Sequence, residues 1–134
     1  MTHATAQATT QPTTEATVWQ ESNQRGLCRE LDRVYASIVR ASGGVPEDIV
    51  RGEGEATALD HVARVFGLTE FERDVLLLCA GVELESRFAS ACAVAQNDPR
   101  LGSPTFGLAL AALPDAHWSA VNRDSPLRYW RLIA

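Results

Sequence analysis

Apolar residues recur at helical spacing along most of this chain. Leu27, Leu31, Val34, Tyr35 and Ile38 fall on one stripe, with Arg25, Arg29, Arg33 and Arg40 mostly off it, so a helix is expected over Val18 to Ala41. Gly26 should weaken its N-terminal part. Ser42-Gly43-Gly44-Val45-Pro46 then ends it. Further on, Leu59, Val62, Ala63 and Phe66 share a face behind a Thr57 cap, and Gly67 closes that helix. Thr69 caps the next one, and Glu72 completes a capping box. Phe71, Val75, Leu78 and Cys79 form its stripe, Leu76 and Leu77 extend the apolar surface around it, and Gly81 is expected to stop it. Leu84, Phe88, Ala91, Cys92 and Ala95 give the following helix its stripe. Thr105 caps a short helix with Phe106, Ala109, Leu110 and Leu113. Asp115 is expected to cap a last one carrying Trp118 and Val121. Leu127 to Ile133, rich in branched and aromatic residues, reads as a strand.

The organisation follows. Residues 1–17 are Thr, Ala and Gln with almost no large apolar side chain, too little to offset ordering entropy, so a disordered tail is expected. Residues 18–42 form the long N-terminal helix, 43–56 an acidic, Gly-containing linker, and 57–134 a compact unit. The fold class is mainly α: a helical bundle in a helix-turn-helix arrangement with a C-terminal strand, preceded by the long helix.

Charge narrows the function. The formal charge is −5, which argues against a surface for phosphate backbones. All 12 basic residues are Arg. Without Lys, neither Schiff-base chemistry nor a Walker A loop can be built from this sequence. Cys28, Cys79 and Cys92 form no C-x-x-C pair, and Cys79 and Cys92 sit on apolar faces as small hydrophobes. A reducing, cytoplasmic compartment fits that usage. Met1 to Thr17 lacks the apolar core of a signal peptide, and no apolar run reaches membrane-spanning length.

Candidate chemistry is sparse. His61 lacks the further ligands of a metal site. His117 could serve as a general base, but no motif positions a Ser or Cys nucleophile for it, and Ser119, two residues away, is expected to point elsewhere on a helix. Glu70, Glu72, Asp74, Glu83 and Glu85 gather at helix starts, where the helix dipole favours carboxylates. Arg73 and Arg87 are expected to pair with them as exposed bridges contributing up to about 1 kcal/mol. No catalytic residue, cofactor or metal site is assigned, so an enzyme is not expected. Two interaction candidates stand out. Arg128, Tyr129, Trp130 and Arg131, with Arg123 nearby, make a basic–aromatic patch suited to domain docking, to packing on its own helices, or to base stacking. The stripe Leu27, Leu31, Val34 and Ile38 serves the core or a partner helix.

The block from Leu68 to Gln96, with Pro104-Thr105-Phe106-Gly107-Leu108-Ala109-Leu110 and Pro126-Leu127-Arg128-Tyr129-Trp130-Arg131-Leu132-Ile133, resembles one particular module. It is similar to the N-terminal, winged-helix-type domain of large bacterial AAA+ ATPases, often encoded beside phage-tail-like extracellular contractile injection systems. The resemblance runs from about Leu59 to Ala134 and is most specific from Phe71-Glu72-Arg73-Asp74 to Phe88. It implies a non-catalytic interaction and regulatory domain that precedes a nucleotide-binding core, with that core, neighbouring ring subunits or injection-system components as partners. The sequence would then be an excised or truncated N-terminal piece. A winged-helix DNA-binding regulator is the alternative, opposed by Glu83 and Glu85 at the start of the candidate recognition helix.

Overall fold

Each apolar stripe becomes a helix in the computed structural model, which describes residues 14–46 and 56–133. The order is α1 (Thr14–Ala41), α2 (Ala58–Phe66), α3 (Glu70–Leu84), α4 (Ser86–Ala95), α5 (Phe106–Ala112), a 3-10 turn (Trp118–Val121) and α6 (Pro126–Tyr129). Among the described residues no helix is long and apolar enough to cross a membrane.

Local signals explain the boundaries. Thr57 and Thr69 each close a capping box, with Asp60 and Glu72 respectively, and Thr105 accepts a hydrogen bond from the Leu108 amide. Gly67 ends α2 in the left-handed conformation at φ 67°. Gly43 ends α1 at φ 85°. Asp115 caps nothing, because the 3-10 turn takes its N-cap from His117.

α1 packs against α3, α4 and α5. Leu31, Val34 and Ile38 meet Phe71, Leu78, Phe88 and Cys92 in one core that also takes in Leu108, Leu113 and Leu127. Full burial of an aliphatic or phenylalanine side chain contributes about 1.5–3 kcal/mol, so this face holds α1 in place. Gly26 gains its reason here. A Cβ on it would lie 2.6 Å from the Thr57 methyl group, so the glycine lets α1 pass close to the start of α2. Asn23 on α1 accepts a hydrogen bond from the Ala58 amide at 2.7 Å, satisfying one of the orphan donors of α2.

The expected tail over 1–17 falls largely on residues 1–13, and the expected linker over 43–56 largely on residues 47–55; both stretches lie outside the described residues. Thr14 to Thr17 already belong to α1.

Two expectations are corrected. Gly81 does not stop α3, which runs on to Leu84 and joins α4 through the single extended residue Glu85. Leu84 therefore ends α3 and is exposed. The C-terminal strand is also absent: no strand occurs among the described residues, and Leu127 to Ile133 holds the end of a one-turn helix and a tight reversal. Ser125 and Pro126 start α6 as N-cap and N1, a pairing that favours helix over strand.

Candidate interaction surface

The C-terminal segment divides its side chains between the inside and the outside. Leu127 is fully buried, and Leu132 and Ile133 pack against the core beside α3 and α5. The Ser125 hydroxyl donates to the Ala120 carbonyl at 2.7 Å and ties α6 to the 3-10 turn. Arg128 donates to the Val121 carbonyl at 2.8 Å.

The backbone reverses at Arg131. Its amide bonds the Arg128 carbonyl at 3.2 Å, and the Leu132 amide bonds the Leu127 carbonyl at 2.9 Å. This is the pair of bonds of a Schellman ending, with Arg131 at φ 53° in the position usually held by glycine. The reversal turns Leu132 and Ile133 inward and leaves Tyr129 and Trp130 outside, 63% and 54% exposed.

Phe66, at the end of α2, extends the outer face. Its ring centroid lies 5.6 Å from that of Trp130, and Tyr129 meets Trp130 edge-on at 4.9 Å. Val65 beside it is exposed. Trp118, in the 3-10 turn that α6 packs against, is 78% exposed. Of the eight residues picked from sequence, Arg128, Tyr129, Trp130 and Arg131 are all exposed. Leu31, Val34 and Ile38 lie in the core, and Leu27 is half-buried. Phe66 was legible as part of an apolar stripe but not as a neighbour of Trp130.

A second constellation lies inside, where sequence reading expected exposed pairs. Arg73 on α3 is buried and donates to Glu30 on α1 at 2.7 Å and to Asp60 on α2 at 2.8 Å. Arg33 on α1 grips both oxygens of Asp74 and also reaches Glu30 at 2.8 Å. Two guanidiniums and three carboxylates therefore join α1, α2 and α3. Burial disfavours charge on Glu30, but the hydrogen bonds from Arg73 and Arg33 outweigh it and hold its carboxyl below the usual range. Asp60 is lowered likewise: the Thr57 amide and Arg73 outweigh its burial. Both arginines are pushed further up by the same partners, against their own burial.

The remaining candidates are quieter. His117 bonds Thr69 at 2.8 Å through Nε2 and Ser119 at 2.6 Å through Nδ1, so Ser119 faces the ring, contrary to expectation. Hydroxyls bond both ring nitrogens, and among the described residues no carboxylate bonds the imidazole. His61 meets Arg64 at 3.2 Å. Burial pushes the Cys79 and Cys92 thiols up, away from nucleophilic thiolate. Among the described residues no group of three His, Cys, Asp or Glu is placed to hold a metal ion. On α4 the one cation, Arg87, pairs with Asp32 and Glu85 and lies 4.3 Å from the centroid of Tyr35.

A bundle of short capped helices with α2, α3 and α4 in close succession suits a helix-turn-helix family. A family model described as "Winged helix domain, variant" matches residues 2–126. The chain belongs to this winged-helix variant family. No curated protein and no solved structure matches it. Membership fits a mainly helical domain in which the described residues form no wing strand.

Proposed function

We propose that this winged-helix variant domain is a non-catalytic interaction and regulatory module of an AAA+ ATPase linked to a contractile injection system, working in the cytoplasm. Its partners are the ATPase core, neighbouring ring subunits or particle components. The observation that carries the docking role is the exposed pair Tyr129 and Trp130, backed by the half-buried Phe66 and accompanied by the exposed Arg128 and Arg131. Tyr, Trp and Arg are the side chains that dominate protein interfaces. The choice of an ATPase as partner rests on the resemblance of the segment from Phe71 to Phe88 and of the C-terminal block.

The alternative is a DNA-binding regulator, a use open to winged-helix folds. Against it, α4 carries a single arginine, already engaged by two carboxylates. The chain as a whole is acidic.

The test is co-purification of the full chain with the AAA+ core encoded with it, alongside titration against duplex DNA. Association lost in Trp130→Ala is expected. A duplex dissociation constant below about a micromolar at physiological salt, tighter than ordinary non-specific binding, would replace this reading with the DNA-binding one.

A further inference from the structure

Arg131 occupies a backbone position that a glycine would fill without strain. At φ 53° an L-residue brings its Cβ against the carbonyl that follows, and the Schellman ending of α6 favours glycine there. Strained backbone of this kind gathers at functional sites, and the inference runs from the outlier to a role for the side chain. Arg131 is exposed and directly follows Trp130 in the chain. From Trp118 to Ile133 the chain carries Arg123, Arg128 and Arg131 against the single carboxylate of Asp124. This cationic stretch stands in a chain whose net charge is −5. Its aromatic side chains are unusually open: Trp118, Tyr129 and Trp130 are all more than half exposed.

We infer that the face of Phe66, Tyr129 and Trp130 binds an acidic protein segment, in which an apolar side chain rests on the rings and a carboxylate pairs with Arg131. The inference rests on the docking reading above and adds the chemistry of the partner. Charge complementarity selects a carboxylate-bearing segment, because guanidiniums grip carboxylates in a planar fork. A second copy of this chain would also present net negative charge, but a peptide needs only one exposed acidic stretch. Single-stranded nucleic acid could stack on the same rings, but its backbone brings a phosphate with every base against a chain of net charge −5, whereas a protein segment needs only one carboxylate at Arg131.

The test uses the full chain and two blocked synthetic peptides, one alternating glutamate and leucine, the other lysine and leucine. Binding is followed by the indole N–H signal of Trp130 in nitrogen–proton NMR. The acidic peptide should shift that signal and the basic one should not, and added salt should weaken the effect. Arg131→Gln keeps the backbone demand and removes the charge, so affinity should fall about tenfold, the scale of one charge-assisted hydrogen bond. Arg131→Gly should lose the same affinity while the melting temperature stays level or rises, which a purely structural role for Arg131 would not produce. Equal binding of both peptides, binding of neither, or full affinity in Arg131→Gln overturns the inference. So does an oligothymidine strand that shifts Trp130 where the acidic peptide does not. If the peptides fail while the ATPase core still needs Trp130, the docking reading stands and only the partner chemistry falls. If the core ignores Trp130 as well, both fall.

Discussion

Phe88 packs on the bare backbone of Gly81. A Cβ on Gly81 would lie 2.6 Å from Cε1 of the ring and 2.7 Å from Cδ1 and Cζ. Phe88 is fully buried, with Tyr35 edge-on to it at 5.5 Å, so the ring has little room to retreat. In an exposed helix interior, alanine would be better than glycine by about 1 kcal/mol. Here overpacking should win, and Gly81→Ala should destabilise by about 1–3 kcal/mol. Denaturant unfolding measures this. A variant as stable as the parent would mean that the ring can shift and that Gly81 is merely a weak point in α3.

That pair also shows what the sequence could carry. A glycine that ends a helix and a glycine that admits a ring from the next helix look alike in one dimension. Gly67 ends α2, whereas Gly81 seats Phe88. The caps at Thr57, Thr69 and Thr105 were legible because both partners lie within three residues. The ion pairs of Arg73 were not, because Glu30 lies 43 residues away and Asp60 lies 13 away. The C-terminal segment misled through its composition. Branched and aromatic residues suggested a strand, yet exposure runs unbroken from Arg128 to Arg131 instead of alternating. Of the interaction surface, four residues could be named from sequence, while their meeting with Phe66 needed the fold.

Leu127 is the internal anchor of the outer aromatic face. It is fully buried, and its carbonyl accepts from the Leu132 amide at 2.9 Å. Leu127→Ala should cost about 2–5 kcal/mol. It should also free Trp130 from Phe66, seen as faster exchange of the Trp130 amide with solvent. Loss of stability with unchanged exchange at Trp130 would show that the face holds together without its anchor.

Arg73 should matter more than any surface pair. Arg73→Leu leaves Asp60 without its guanidinium and Glu30 with Arg33 alone. Removing one partner of a buried network costs about 3–5 kcal/mol, and the partial exposure of Asp60 places the expected loss near the lower end. The comparison is Arg100→Leu, which breaks the pair with Asp98 at a site where Arg100 is exposed. That variant should melt with the parent. Equal melting of all three proteins would mean that the buried network contributes no more than surface charge.

The same network sets the response to acid. Glu30 and Asp60 have folded-state pKa values below their ordinary ones of 4.5 and 3.8. The unfolded chain therefore takes up protons first as the pH falls. Their contribution to stability is complete above the ordinary carboxylate range. It is lost progressively below about pH 4.5, as protons displace the arginine contacts. Melting temperature should hold level from about pH 7 to 5 and then drop. Glu30→Gln should start lower, because Arg73 and Arg33 lose a charged partner, and should fall less steeply below pH 4.5, because one titrating group is gone. The two curves should converge at the acid end. A drop that begins between about pH 7 and 6 would instead trace to histidine, the side chain that changes charge there, and would remove the carboxylate network as the source of acid sensitivity.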